Sequence, residues 1–178
     1  MKQTVYQMIA FLLQYPDKHM AQSLSDIEED IDTLDHHRIK SYLQDFVKAS
    51  STIPFDVWTD HYIEHFDFGR LTNLYVTYLK LGEQRERGLE LLKLKKFYEA
   101  SGYSVSAKEL PDYLPVILEF CANVPTETGN ELLQLHHMAI GEIRTKLKEN
   151  NSYYSLLFDA LFLQMEINSV LLEKEAID

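Results

Sequence analysis

The sequence predicts an all-α protein, a single-domain bundle of about eight to nine helices over residues 1–178. Apolar residues recur at intervals of three and four through most of the chain, which places them along one face of a helix. Sustained alternation of apolar and polar residues is absent, and so are the Asn-Gly and Asp-Gly pairs typical of hairpins. Glycine is scarce, with 6 among 178 residues, so few positions favour a turn over a helix.

The first predicted helix lies in an apolar N-terminal segment with some features of a secretory signal. Lys2 precedes the apolar run from Val5 to Leu13, but Gln7 interrupts that run. Tyr15-Pro16-Asp17 follows, where a signal peptide would carry the small residues of a cleavage site. We therefore assign the segment to the fold and expect the protein to stay in the cytoplasm.

Five further amphipathic helices are predicted from stripes of large apolar side chains. In chain order the stripes are Met20, Leu24, Ile27, Ile31 and Leu34; Phe55, Trp58, Tyr62 and Phe66; Leu71, Leu74, Tyr75 and Tyr78; Leu89, Leu92 and Phe97; and Leu132, Leu135, Ala139 and Ile143. The fourth of these helices is expected to end at Ser101-Gly102, because glycine readily adopts the left-handed conformation that closes a helix. Thr128 and Glu131 have capping-box spacing at the start of the fifth.

The last long segment is apolar over a wide face, which predicts a helix in the middle of the bundle. Its apolar residues are Tyr154, Leu157, Phe158, Leu161, Phe162 and Met165. The longest irregular stretch covers residues 102–112 and precedes another apolar helix. Binding residues often lie on loops that a rigid scaffold holds in place, so this loop is a candidate site.

The charge balance bears on the class of partner. The chain has 28 acidic and 17 basic residues and a formal net charge of -11, which argues against nucleic-acid binding. The same field would attract a basic peptide, although solubility explains the charge equally well. A run of carboxylates between Asp26 and Asp35 allows the same two interpretations, an acidic rim or a solvated helix face.

Signals of catalysis are weak. The nucleotide motifs G-x-x-x-x-G-K-[ST] and G-x-G-x-x-G are absent, as is the G-x-S-x-G of serine hydrolases. Cys121 lies in an apolar run without basic neighbours, which indicates an inert core thiol. The segment from Gly82 to Gly88 carries Arg85 and Arg87 and is interpreted as a tight junction between helices with local ion pairs.

The sequence contains one match to an enzyme motif. His61, Glu64 and His65 match H-x-x-E-H, in which two histidines four residues apart bind zinc and the glutamate acts as a general base. The two histidines flank the stripe of Trp58 and Tyr62, and no later segment supplies an evident third ligand. Boundary histidines are the favoured interpretation, no bound metal is expected, and a zinc hydrolase is kept as a remote alternative.

Several segments together resemble the nitrate reductase delta subunit family, the NarJ-type assembly chaperones, within the wider group of redox-enzyme maturation chaperones. The matching segments are residues 12–17, 62–68 with Phe66-Asp67, 74–78, 82–88 with Arg85 and Arg87, and 109–115. The last, Glu109-Leu110-Pro111-Asp112-Tyr113-Leu114-Pro115, is the most specific. Tyr113 occupies a position at which many relatives in the wider group have histidine. A tyrosine at this position is similar to the nitrate-reductase branch.

The resemblance implies an all-helical chaperone with no catalytic activity and no cofactor of its own. Its partner would be the catalytic (alpha) subunit of respiratory nitrate reductase, bound in the cytoplasm through its N-terminal segment until the molybdenum cofactor is inserted. The chaperone would not be part of the finished enzyme, and neither nucleic acid nor membrane insertion is expected. The peptide-binding residues carried over from the family are Glu109, Pro111, Asp112, Tyr113, Leu114 and Pro115.

The residues themselves are compatible with that role. We expect Glu109 and Asp112 to pair with basic residues of the client, while Tyr113 and Leu114 line the floor of a groove. An alternative is that Asp112 caps the following helix and Pro111 fixes where that helix begins. The remaining functional alternatives are a generic helical peptide-binding adaptor and a chaperone for another molybdoenzyme.

Overall fold

A computed structural model describes residues 2–68, 72–81 and 85–170. Eight α-helices of eight or more residues, one four-residue helix and one π-helical segment occur in these ranges. They are α1 (Lys2–Leu12), α2 (Lys18–Asp32), α3 (His37–Ser51), α4 (Phe55–Tyr62), the π-helix (Ile63–Asp67), α5 (Tyr78–Leu81), α6 (Arg85–Ala100), α7 (Leu114–Asn123), α8 (Thr126–Glu149) and α9 (Ser155–Ile167). The predicted all-α class is confirmed.

The core is built around α9 and α1. α9 packs against α1, α3 and α8, and α1 packs along α7. Leu157, Phe158 and Leu161 of α9 are fully buried, so the predicted central position of this helix is confirmed. Burying each such side chain contributes roughly 1.5–3 kcal/mol relative to its exposure to water. Nearly all buried apolar residues join one cluster.

The N-terminal segment is a helix of the fold, as predicted, and it lies in the core. Ile9 and Leu12 of α1 are fully buried, and so is Leu13 just after it. The Tyr6 hydroxyl accepts a hydrogen bond from Asn168 Nδ2 at 3.0 Å, which ties α1 to the end of α9. Across the described ranges, no helix is both long enough and apolar enough to cross a bilayer.

Two predicted helix ends had opposite outcomes. α6 ends as expected: Gly102 has φ +82°, Tyr103 N–H donates to the Tyr98 carbonyl, and Gly102 N–H donates to the Glu99 carbonyl. These bonds form a Schellman motif. The predicted capping box of α8 is wrong, because the helix begins at Thr126 after Pro125 and has no side-chain cap. Thr128 therefore lies inside the first turn.

The predicted helix over residues 71–78 is also wrong in the part that the structure describes. Leu71 lies outside the described residues. Tyr75 forms an antiparallel bridge with Tyr113, and helix α5 begins only at Tyr78. Val76 N–H donates to the Asp112 carbonyl at 3.0 Å, and Leu114 N–H donates to the Leu74 carbonyl at 2.8 Å. Backbone pairing with a distant segment thus replaces the local helix.

Some residues of the predicted stripes face solvent. Leu89 and Leu92 of α6 are 57% and 48% exposed, whereas Leu94 and Tyr98 form the buried face of that helix. Leu135 of α8 is 73% exposed. In α4, by contrast, Trp58 and Tyr62 are buried as predicted, and the following π-helix keeps Phe66 in the core.

Candidate peptide-binding groove

A groove of about 650 Å³ lies where the loop after α6, helix α7 and the α1–α2 connection meet. The loop and α7 each contribute several of its lining residues, and Tyr98 comes from α6. The α1–α2 connection supplies Gln14, Tyr15 and Asp17. The loop residues and the helices beneath them form a concave site. Its volume is sufficient for a few side chains of a ligand.

Aromatic side chains dominate the apolar part of this groove. The Phe120 ring is contacted by the rings of Tyr98 and Tyr103, with centroids 4.8 Å and 5.5 Å away. The Tyr103 hydroxyl donates to the Asn123 carbonyl at 2.8 Å, which fastens the loop to the end of α7. The Tyr15 ring packs against that of Tyr62 in a T-shaped arrangement, with 5.6 Å between centroids. Aromatic rings in mutual contact therefore form the apolar part of the groove.

The charged groups that line the groove, in the part of the chain that the structure describes, are all acidic. Asp17, Glu109 and Glu119 contribute carboxylates, and neither lysine nor arginine is among the described lining residues. Asp17 also caps α2, since its Oδ1 accepts a hydrogen bond from Met20 N–H at 2.8 Å. Glu109 and Glu119 are exposed. The field over the groove thus favours a cationic ligand.

The structure divides the six predicted site residues into two groups. Glu109, Tyr113 and Pro115 line the groove. Pro111, Asp112 and Leu114 lie in the wall behind it. The Pro111 carbonyl accepts a hydrogen bond from the Tyr98 hydroxyl at 2.7 Å, and Leu114 is fully buried. This second group shapes the loop from within.

Asp112 is the centre of that wall. Its side chain is fully buried, and one carboxylate oxygen accepts from the Thr77 hydroxyl at 2.6 Å and from Arg87 at 3.1 Å. The idea that Asp112 caps the next helix is wrong, because Tyr113 precedes α7 and no side chain caps it. Asp112 instead joins the loop to the 74–77 segment and to α6.

Arg87 also differs from its sequence-based interpretation. Local ion pairs were expected between Gly82 and Gly88, of which residues 82–84 lie outside the described residues. Arg87 reaches Asp112, 25 residues along the chain, and its side chain is only 14% exposed. Its guanidinium lies 5.4 Å from the ring centroid of Tyr78 and 5.9 Å from that of Tyr75. Cation–π contacts of this kind stabilise a partly buried arginine.

Tyr75 connects this buried pair to the groove. Its hydroxyl donates to Glu109 Oε2 at 3.1 Å, and its ring stacks on Tyr113 at 5.0 Å between centroids. Burial is the main reason that the pKa of Tyr75 is raised, and the hydrogen bond to Glu109 raises it further. The hydroxyl therefore stays protonated and acts as a donor. Sequence reasoning missed this role, because the spacing of Tyr75 with Leu74 and Tyr78 indicated only a helical stripe.

The histidines of the zinc-like motif form a packed cluster. His61 Nε2 is 2.8 Å from the Ser152 hydroxyl oxygen. The His61 ring stacks on Tyr153 and also contacts the His65 ring, with centroids 4.6 Å and 4.3 Å away. Burial lowers the pKa of His61. Among the described residues, no group of three histidine, cysteine or acidic side chains is arranged to hold a metal ion.

Cys121 follows Phe120 on α7 but is not among the described residues that line the groove. The side chain is buried, and burial raises the pKa of the thiol to about 12. Gly129 packs directly against it, since a Cβ built at Gly129 would lie 3.3 Å from Cys121 Cβ. The thiol is therefore protonated at neutral pH and closely packed, as expected for an inert core cysteine.

Comparison with known proteins places these features in a family. The family described as "Nitrate reductase delta subunit" matches residues 28–160. Over 165 residues, the chain is 38% identical to the probable nitrate reductase molybdenum cofactor assembly chaperone NarJ of Bacillus subtilis, covering 93% of this chain and 90% of that protein.

Two further relatives are more distant. The nitrate reductase molybdenum cofactor assembly chaperone NarJ of Escherichia coli is 31% identical over 86% of this chain and 66% of its own length. The nitrate reductase-like protein NarX of Mycobacterium tuberculosis is 30% identical over 82% of this chain and 22% of its own length. All three matches extend well beyond the groove loop, and the chain belongs to the nitrate reductase delta subunit family.

Proposed function

We propose that the protein is an assembly chaperone that binds the N-terminal segment of the catalytic (alpha) subunit of a respiratory nitrate reductase in the groove. Binding takes place in the cytoplasm, before the molybdenum cofactor is inserted and the subunit joins its complex. The chaperone catalyses no reaction and leaves before the enzyme is complete. The observation that carries this proposal is an aromatic groove whose charged lining residues, among those the structure describes, are all acidic, found in a member of this family.

The chemistry of the groove supports a basic, amphipathic client segment. An amphipathic helix can place its apolar face against the rings of Tyr15 and Tyr103, which are 48% and 40% exposed, whereas Tyr98 and Phe120 are buried beneath them. Exposed aromatic anchors of this kind carry most of the affinity in comparable interfaces. Glu109 and Glu119 at the rim then raise the encounter rate and select for a cationic partner. Covering the segment also keeps its apolar residues from associating with other chains during assembly.

We assign different roles to the six candidate residues. Glu109 and Tyr113 contact the client directly, because they line the groove and are at least partly exposed, whereas Pro115 lines the groove as a buried residue of its floor. Pro111, Asp112 and Leu114 keep the wall in shape, because their polar and apolar groups are already engaged inside the protein. A client could reach the Asp112 carboxylate only if the loop opened and the bond to Arg87 broke.

Titration calorimetry with a synthetic peptide of the client's N-terminal segment tests the proposal. Replacing both Glu109 and Glu119 by glutamine should weaken binding about tenfold, since each exposed ion pair contributes at most about 1 kcal/mol. Glu131→Gln is the matched control, because Glu131 is exposed on α8 outside the groove. Absence of binding to the unaltered protein would contradict the proposal.

Co-purification from cells that produce the reductase gives an independent test. The catalytic subunit should be recovered with the chaperone and identified by mass. Recovery of a different molybdoenzyme would redirect the proposal to that client, and recovery of unrelated proteins alone would favour a generic adaptor.

A further inference from the structure

We infer that Tyr75 is a positioning residue that sets the specificity of the groove. It fixes the Glu109 carboxylate beside the Tyr113 ring, so the groove selects a helical segment whose basic residue lies one turn from a large apolar side chain. The inference deepens the proposed function and rests on it, since it concerns the same groove.

The geometry around Tyr75 carries the argument. Tyr75 does not line the groove, yet its side chain holds two residues that do. Its hydroxyl hydrogen-bonds Glu109 Oε2 at 3.1 Å, and its ring stacks on Tyr113 with an interplanar angle of 29°. The backbone bridge between Tyr75 and Tyr113 fixes the same pair a second time. One side chain therefore determines where a carboxylate and an apolar ring lie relative to each other.

Tyr75 is itself fixed from behind. The residues on either side of Tyr75 are also paired with the loop. Val76 N–H donates to the Asp112 carbonyl at 3.0 Å, and the Leu74 carbonyl accepts from Leu114 N–H at 2.8 Å. The Arg87 guanidinium that pairs with Asp112 also lies 5.9 Å from the centroid of the Tyr75 ring. Tyr75 thus transmits a rigid, buried arrangement to an exposed carboxylate.

This arrangement changes what Glu109 can do. An exposed glutamate normally loses rotamer freedom when it pairs with a cation, and that loss offsets much of the attraction. Among the described residues, Tyr75 bonds Oε2 of Glu109 and none bonds Oε1. Oε1 can therefore still accept a hydrogen bond from a lysine or arginine of the client while the side chain is already ordered. Preorganisation of this kind increases affinity without adding a contact.

The same geometry defines the ligand. Side chains three or four residues apart on a helix have Cβ atoms about 5–6 Å apart and point in the same direction. A cation and an apolar side chain at that spacing can meet Glu109 and Tyr113 together, whereas neighbours one or two apart diverge around the helix. We therefore expect affinity to depend on the position of the basic residue and not only on its presence.

The test compares Tyr75→Phe with the unaltered protein in calorimetry. Phenylalanine keeps the ring stacked on Tyr113 and beside Arg87 but loses the hydroxyl. The probes are the client's N-terminal peptide, versions in which each lysine or arginine in turn is replaced by norleucine or glutamine, and versions in which the responsive basic residue is moved by two positions. We expect Tyr75→Phe to weaken binding of the original peptide about two- to fivefold and to leave binding of the neutralised peptide unchanged.

Two further measurements separate positioning from general stability. In a Glu109→Gln background, Tyr75→Phe should have no additional effect, because the negative charge that Tyr75 positions for the client is already gone. Tyr42→Phe is the matched control, since the Tyr42 hydroxyl accepts a hydrogen bond from Arg38 on α3, outside the groove. It should bind all peptides as the unaltered protein does, with an unchanged melting temperature.

The outcomes distinguish the two proposals. If the unaltered protein binds none of the peptides, the proposed function and this inference both fail. If the peptides bind and Tyr75→Phe weakens the charged and neutralised forms equally, or weakens neither, the inference fails and the proposed function stands. Equal affinity of the unaltered protein for the original and the shifted peptides would also overturn the inference.

Discussion

The Arg87 guanidinium donates to the fully buried Asp112 carboxylate at 3.1 Å and thereby joins α6 to the loop that precedes α7. The Thr77 hydroxyl donates to the same carboxylate oxygen, so three segments of the chain meet at one group. Two of the six groove residues suggested by sequence, Glu109 and Tyr113, take their positions from this contact through Tyr75.

Asp112→Ala should be strongly destabilising. It leaves the largely buried Arg87 without its counter-ion, and breaking a buried pair in this way costs about 3–5 kcal/mol. Urea unfolding followed by circular dichroism measures the loss. Arg87→Met with Asp112→Leu should recover part of it, because no unpaired charge remains. An Asp112→Ala protein of normal stability that had lost peptide binding would instead indicate direct contact with the client.

Two glycine substitutions should have opposite signs. Gly88→Ala should stabilise the protein by up to about 1 kcal/mol, because alanine has the higher helix propensity and no atom of the described residues lies within 4 Å of a Cβ at this position of α6. Gly102→Ala should destabilise it by about 1 kcal/mol, because Gly102 has φ +82°, where a side chain is strained. Melting temperatures of the two proteins provide the comparison, and a change of the same sign in both would contradict it.

Leu161→Ala should lower the free energy of unfolding by about 2–5 kcal/mol, since it opens a cavity in the centre of the bundle. Fluorescence of Trp58, the single tryptophan in the sequence, reports the transition, because its buried indole donates to the Tyr154 hydroxyl at 2.9 Å. Leu135→Ala is the matched control: this leucine is 73% exposed, so little stability should be lost. Comparable losses in both variants would contradict the central position of α9.

The stability of the protein should fall as the pH drops below neutral. Burial lowers the folded-state pKa of His61, so the unfolded chain takes up a proton first. The stability that depends on neutral His61 is complete above the unfolded pKa of about 6.5 and decreases as the pH falls towards the folded value. His136, whose pKa burial also lowers, contributes in the same direction.

His61→Gln should flatten this dependence of the urea midpoint between about pH 7.5 and 5.5, because one of the two groups is removed. His19→Gln provides the control, since His19 is exposed on α2. An unchanged slope in His61→Gln would show that other groups dominate the acid sensitivity.

Salt should weaken peptide binding by screening the carboxylates at the rim of the groove. The groove is lined by Asp17, Glu109 and Glu119 without a basic residue among the described ones. Raising ionic strength to about 1 M shortens the screening length to about 3 Å and should reduce affinity in calorimetry. The Glu109→Gln and Glu119→Gln double variant should respond less. Equal salt dependence of the two proteins would mean that the rim charges do not act on the client.

Local spacing was sufficient to predict the helices that carry a buried stripe. Trp58, Tyr62 and Phe66 lie in the core as their spacing indicated, and α9 is central as its wide apolar face indicated. The spacing of apolar residues predicted the wrong buried face where both faces of a helix carry leucines. In α6 it selected the exposed Leu89 and Leu92 rather than Leu94 and Tyr98, since periodicity alone does not reveal which side meets the core.

The site shows a different limit. The segment from Glu109 to Pro115 could be found by resemblance, and its loop by the absence of helical spacing. The hydrogen-bond partners of Asp112 are Arg87 and Thr77, which lie 25 and 35 residues away along the chain. No local sequence pattern indicates that such distant residues are in contact. Sequence reasoning therefore placed Asp112 at the rim as a charged loop residue. Tyr75 was missed for the same reason, since its contacts with Glu109 and Tyr113 depend on backbone pairing between distant segments.

The bond between Tyr6 and Asn168 joins residues 162 positions apart. Helix α1 leaves the ribosome before the other described helices and can bury its apolar face only after α7 and α9 have been synthesised, because these are the helices that cover it. Closing so long a loop before any contact forms tends to slow folding. The α1–α2 connection also supplies Tyr15 and Asp17 to the groove. We therefore expect newly made chains to gain their binding capacity only after translation has passed α9.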